Sequence, residues 1–179
     1  MCGIHKQIFD ILMLRKGIRS RVVIDPANER IFFADADVEL EKVHRREKAL
    51  YTMLLLESAS GGVNFSRPTG AQLQRRHEQR MQRMQEKYAL IYRMFGGSSK
   101  VTPSLANTES RSPMLSLLKR QLMSLRDILH SPENYVADRN IYGNYAVSIS
   151  PDLICYYDAE TESIHRLDES EEWRRILSL

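Results

Sequence analysis

Residues 113–130 read Pro113-Met114-Leu115-Ser116-Leu117-Leu118-Lys119-Arg120-Gln121-Leu122-Met123-Ser124-Leu125-Arg126-Asp127-Ile128-Leu129-His130. Leu115, Leu118, Leu122, Leu125 and Ile128 or Leu129 recur at steps of three and four, so the spacing predicts an amphipathic helix that buries a leucine stripe. Ser112 is placed to cap it and Pro113 suits its first position. Ser131-Pro132 ends it. At 100° per residue Ser116, Arg120, Met123, Ser124 and Asp127 lie opposite that stripe, with Lys119 beside it. The outer surface therefore carries cations and small polar groups. A helix that enters the major groove of duplex DNA needs such donors for base edges and phosphates. Asp127 does not fit that need.

The sequence on either side gives this helix its setting. Downstream, residues 135–137 and 145–149 alternate like strands, and residues 138–144 between them (Asp-Arg-Asn-Ile-Tyr-Gly-Asn) read as a hairpin tip that presents Arg139 and Asn140. Upstream, residues 21–33 hold two β-branched or aromatic runs joined by Asp25-Pro26-Ala27-Asn28, which predicts a β-hairpin with Asn28 tolerating left-handed geometry. Residues 38–40 add a short strand. Residues 44–57 predict a helix with Ala49, Leu50, Met53, Leu54 and Leu56 on a broad apolar face. A longer helix spans 70–95, and after Met81 its apolar positions (Met84, Tyr88, Ile91 and Phe95) form a narrow seam. That seam suits packing within the domain, and a second copy could also pair through it. Residues 96–112 read as a loop. A short N-terminal helix is predicted over residues 4–14, a strand over 153–157, and a terminal helix over 169–179 with Trp173, Ile176 and Leu177 on one face.

Composition narrows the classes. The chain has 179 residues, 42% of them apolar and 27% charged, with a net charge of +3. This suits one domain with extensions and opposes a membrane-spanning chain, because no apolar run approaches the ~20 residues a bilayer requires. Two cysteines, Cys2 and Cys155, are too few for a disulfide framework and suggest a cytoplasmic protein. The net charge conceals a division. Residues 44–93 carry ten basic side chains against four acidic ones, and residues 111–130 four against one. Residues 152–179 carry three against eight. A basic middle of this kind favours a polyanion, and Arg75, Arg76, Arg80 and Arg83 of the long helix could add sequence-independent attraction to phosphates. The alternative is a solvated helix face. The five histidines are scattered, no phosphate-cradling glycine loop is present, and Cys155 sits among apolar neighbours. No enzyme, metal or cofactor is therefore expected.

Four pieces of this pattern resemble the winged-helix output domain of OmpR/PhoB-type transcriptional regulators. Residues 21–40 are similar to its N-terminal strands, and Arg45-Arg46-Glu47-Lys48-Ala49-Leu50 with Met53-Leu54-Leu55-Leu56 to its first helix. Residues 118–129 are similar to its recognition helix, and residues 135–147 to its wing. The stretch 58–112 is much longer than its counterpart in the family, and the residues ahead of the domain are too few for a receiver domain. The resemblance implies an α+β winged helix-turn-helix over residues 21–150 with an insertion at 66–112. A helical segment over residues 1–20 precedes it and an acidic C-terminal extension over residues 151–179 follows. It also implies a transcriptional regulator that reads double-stranded DNA. Helix 113–130 would do so through Ser116, Lys119, Arg120, Met123, Ser124 and Arg126, and the wing 135–149 through Arg139 and Asn140. The other reading is a protein-interaction or oligomerisation module on the same scaffold that uses helix 70–95, either as a homodimer or with a protein partner.

Overall fold

A computed structural model describes residues 5–8 and 19–179 of the protein. Of the predicted N-terminal helix, residues 5–8 are helical and the others lie outside the described residues. The fold is α+β. A five-stranded mixed sheet has the order β3-β2-β1-β6-β7, with β1 Val22–Asp25, β2 Arg30–Phe33, β3 Val38–Glu39, β6 Ile154–Asp158 and β7 Ser163–Arg166. Beyond the helical residues 5–8, the helices among the described residues are α1 Arg45–Ser58, α2 Ala71–Met94, α3 Thr108–Met123 and α4 Glu171–Leu177. A separate hairpin pairs β4 Asp138–Arg139 with β5 Tyr145–Ala146.

The first hairpin forms where the sequence predicts it, with Val22 opposite Phe33 and Asp25 opposite Arg30. Its turn is built differently. Glu29, not Asn28, takes the left-handed conformation, at φ 54°. Asn28 instead uses its side chain, donating to both carboxylate oxygens of the buried Asp25 at 3.1 and 3.0 Å. Arg30 donates to the same carboxylate at 2.9 Å, so the charge of Asp25 is compensated where it is buried.

All four residues of β1 are fully buried, the pattern of a strand covered on both faces, and β1 is paired on both edges. Its second neighbour is β6, which runs parallel to it with Val22 opposite Ile154 and Ile24 opposite Tyr156. Residues 151–179, expected as an acidic extension, are thus built into the sheet. β7 folds back antiparallel on β6, and α4 buries Trp173 and Ile176. Cys155 is buried in β6, and burial raises its thiol pKa, in keeping with a packed residue.

Helix α1 is the hub of the core. Leu50, Tyr51, Met53, Leu54 and Leu55 are all fully buried, and the helix packs against α2, α3 and β5. The carboxylate of Glu47 accepts from the backbone N–H of His44 at 3.1 Å and covers an orphan donor at the helix start. The hydroxyl of Tyr51 donates to the Tyr135 carbonyl at 2.7 Å, and the Tyr135 hydroxyl donates to the Ser20 carbonyl at 2.8 Å.

Helix α2 has two unlike halves. Met84, Tyr88 and Ile91 are buried within the domain core, and Tyr88 stacks on Tyr92. The seam that could have joined two copies is therefore occupied inside one chain. Residues 71–83 are mostly exposed. The halves meet at an ion pair between Lys87 and Glu57 of α1, both buried. No helix among the described residues is long and apolar enough to cross a membrane.

Removing one member of a buried pair leaves the other charge uncompensated. Lys87→Met is expected to cost about 3–5 kcal/mol in urea unfolding, and the double change Lys87→Met/Glu57→Leu to recover most of it.

Candidate nucleic-acid interface

Helix α3 begins earlier and ends earlier than its leucine spacing predicts. Asn107, not Ser112, is the cap, and its side chain accepts from the Glu109 N–H at 2.9 Å. The buried stripe gains a turn upstream through Arg111, followed by Met114, Leu118 and Leu122. Arg111 donates to the Leu105 carbonyl and to Thr108 Oγ1 at 3.4 Å, and its guanidinium lies 4.4 Å from the centre of the Phe65 ring. Burial pulls its pKa below the usual value. Pro113 therefore sits inside the helix, where it has no N–H for the Glu109 carbonyl and its ring crowds that carbonyl. The helix stops at Met123 because Ser124 turns its hydroxyl onto the Gln121 carbonyl at 2.6 Å, in competition with the backbone ladder. Residues 125–129 continue in turns, and Leu129 remains buried.

The outward face of α3 keeps most of its predicted membership. Ser116, Lys119, Arg120 and Met123 are exposed, Ser112, expected as the cap, is exposed too, and Asp127 is exposed beyond the helix end. The Arg120 side chain has no ion-pair or hydrogen-bond partner among the described residues. Lys119 reaches across to the hairpin and pairs with Asp138 of β4 at 2.6 Å. Ser124 lies at the cap and Arg126 is exposed beyond the helix end, outside the regular face that both were expected to extend.

The hairpin is held as firmly as the helix. Residues 135–137, expected as its first strand, form instead the end of a 3-10 turn over Pro132–Tyr135 and the residues after it. Ser131 at φ 50° and Pro132 set that turn, and adjacent Tyr135 and Val136 are both buried, which an alternating strand would not allow. The strands are β4 and β5. Val63, just after α1, adds a third rung: its N–H donates to the Tyr145 carbonyl at 3.0 Å, and the Tyr145 N–H donates back at 2.9 Å. The neighbouring Gly62 has φ 84°, and a Cβ there would collide with the Tyr145 carbonyl, so glycine is required where the two backbones meet.

Arg139 lies over the Tyr145 ring at 5.3 Å and donates to its hydroxyl at 3.3 Å. Asn140 is committed to the hairpin itself. Its Oδ1 accepts from the N–H groups of Tyr142 at 2.9 Å and Asn144 at 3.0 Å, and its Nδ2 faces the Gly61 carbonyl at 3.4 Å. These bonds shape the tip.

The arginines of α2 form a separate group. Arg76, Arg80 and Arg83 line a cleft with Glu57, Ser60, Lys87, Leu177 and Leu179, and no residue of α3 or of the hairpin lines it. Arg80 donates to the Gly62 carbonyl at 2.7 Å, while Arg75, Arg76 and Arg83 have no partner among the described residues. Both basic regions bond to the turn around Gly61 and Gly62, Arg80 to the Gly62 carbonyl and the hairpin's Asn144 to the Gly61 carbonyl.

One arrangement had no signal in the sequence. Ser163 Oγ lies 2.7 Å from His165 Nε2, and His165 Nδ1 lies 3.0 Å from Glu169 Oε2. The order is that of a nucleophile relay. His165 Nε2 also faces Thr161 Oγ1 at 3.2 Å, and the imidazole rests on Tyr156. Here the histidine cross-links the β6–β7 turn to the residues after β7. Among the described residues no cluster of three or more His, Cys, Asp or Glu side chains could hold a metal ion.

The Lys119 ammonium beside Asp138 holds that carboxyl below the usual carboxylate range. A depressed folded-state value means that the stabilisation is present above the unfolded pKa and is lost as pH falls through the folded one. In an NMR titration Asp138 is expected to protonate at lower pH in the native protein than in Lys119→Gln; equal midpoints would show the pair to be broken in solution. Comparisons with protein-family models, with curated proteins and with solved structures found no match.

Proposed function

We propose that the protein is a sequence-specific regulator of transcription that binds duplex DNA in the manner of a winged helix. The observation that carries the reading is the order of parts around one small three-rung sheet. It runs α1, the Val63 rung, α2, α3, and then the β4–β5 hairpin, with Lys119 of the last helix tied to Asp138 of the first hairpin strand. That order is the one expected of a winged helix-turn-helix, with α3 as the reading helix and residues 140–144 as the tip of the wing. Ser116, Arg120 and Met123 would face base edges, with Arg120 suited to a bidentate contact with guanine. Lys119 and Arg139 flank that face and supply phosphate contacts. Arg75, Arg76, Arg80 and Arg83 would contribute non-specific attraction from a neighbouring surface. In this reading the protein works in the cytoplasm.

A second reading has its own support. The exposed half of α2 carries Leu73, 54% exposed, among glutamines and arginines, and within it Met81 is the apolar residue that packs against the core. Such a half-helix suits a protein partner that docks on it.

Fluorescence anisotropy with labelled duplexes separates the two. Binding is expected to weaken steeply with salt, and Lys119→Gln/Arg120→Gln to cost about tenfold or more and to lower the log–log salt slope by about 1 to 2. If micromolar protein shifts no genomic or random duplex at low salt, the DNA reading fails and the interaction reading takes its place.

A further inference from the structure

The tip of the β4–β5 hairpin combines two features that rarely occur together. Ile141 is 91% exposed and Tyr142 76% exposed, the two most exposed large apolar or aromatic side chains among the described residues. Yet the backbone that carries them is closely bonded. Asn140 N–H donates to the Asn144 carbonyl and Gly143 N–H to the Asn140 carbonyl, both at 2.9 Å. Asn140 Oδ1 accepts two further N–H groups, and Asn144 Nδ2 donates to the Gly61 carbonyl at 2.9 Å. Gly143 at φ 78° closes the turn. A polar pair would satisfy such a turn equally well. An ordered tip that leaves an isoleucine and a tyrosine in water has met in advance the entropic cost of presenting them to a partner.

The surroundings specify the partner. Behind the tip stand Arg139 and Lys119, and Asp138, the one carboxylate of residues 138–146, is neutralised by Lys119. With Lys119 and Asp138 offsetting each other, Arg139 leaves the base of the tip with a net positive charge, and an apolar point so backed complements a molecule whose apolar faces lie inside an anionic envelope, as stacked base pairs lie between phosphate chains. An anionic lipid surface shares part of that description. It is disfavoured because the adjacent exposed face of α3 offers the hydroxyls of Ser112 and Ser116 with Lys119 and Arg120, and Met123 is the one large apolar side chain exposed there.

We infer that Ile141 and Tyr142 form a wedge that enters the minor groove and opens a base step, so that the protein bends the duplex it binds. This rests on the DNA-binding reading above and adds to it a deformation of the DNA. Apolar side chains inserted in this way unstack one step and kink the duplex toward the major groove. Flexible steps such as TA open at least cost, so the wedge would favour them without any hydrogen bond to a base.

The test uses the full chain and a duplex of about 30 base pairs with a central TA step, labelled at its ends for energy transfer or carrying 2-aminopurine at that step. Wild-type protein should raise both the transfer efficiency and the 2-aminopurine emission. Ile141→Ala/Tyr142→Ala should retain anisotropy-detected binding, weakened about tenfold, and lose both signals. Tyr142→Phe should keep both, because the ring and not the hydroxyl enters the step. Thermal unfolding of each variant should match wild type, since neither side chain is buried. If wild type binds this duplex with flat emission, and the double alanine variant binds equally well, the wedge is overturned while DNA binding stands. If no duplex binds, both fall. If wild type prefers phosphatidylserine vesicles to the duplex and the alanine variant loses only that, the tip is a membrane contact and the inference is overturned.

Discussion

Two tyrosine hydroxyls fix the positions from which everything else follows. Tyr51 lies at the centre of α1, is fully buried, and donates to the carbonyl of Tyr135, while Tyr135 donates to the carbonyl of Ser20 just before β1. Phe33 of β2 meets the Tyr135 ring edge-on at 5.2 Å. Burial pushes the Tyr51 hydroxyl well above its ordinary pKa and that of Tyr135 up to about 12, so both stay protonated as donors under all ordinary conditions. Leaving either carbonyl unpaired in this interior would cost about 1–3 kcal/mol. The relay joins segments far apart in the chain: the start of the sheet, the hub helix, and the turn that leads into β4.

From that junction the placement of the hairpin is over-determined. Tyr135 anchors its entry, Val63 pairs with its second strand, and Gly62 allows the two backbones to meet. Lys119 then ties α3 to its base. Helix and hairpin are held in one register by separate interactions, the preorganisation a groove-reading surface needs if its side chains are to meet a duplex without first being ordered. The sheet contributes from the other side. Pairing of β6 with β1 brings the C-terminal residues against the core and encloses the apolar strand that the first hairpin leaves open.

Much of this was legible from local pattern. The hairpin around Pro26, the bounds of α1 and α2, and the outward face of α3 all follow from hydrophobic periodicity and turn residues. What was missed depended on partners distant in sequence. Leu153 to Tyr157 read as a strand, but nothing local shows that it pairs with β1. Arg111 read as one of the four basic side chains of residues 111–130, because its contact with Phe65 joins residues far apart in the chain. Ser112-Pro113 made a persuasive helix start, yet the buried stripe runs one turn further back, and tertiary packing outweighed the local signal. Asn140 read as a free polar group at a tip, whereas short loops spend such side chains on their own backbone. At the candidate interface the identity of Lys119, Arg120 and Met123 as an exposed row was readable, but the commitment of Lys119 to Asp138 was not.

The central claim is that α3 and the hairpin act as one surface on duplex DNA. It is tested most directly by following backbone amide shifts while a duplex enriched from a random pool is titrated into the protein. The account predicts that the largest changes cluster at residues 112–123 and 139–145, with the strands of the five-stranded sheet undisturbed. Changes confined to α2 or α4, or the failure of any duplex to be enriched from the pool, would contradict it.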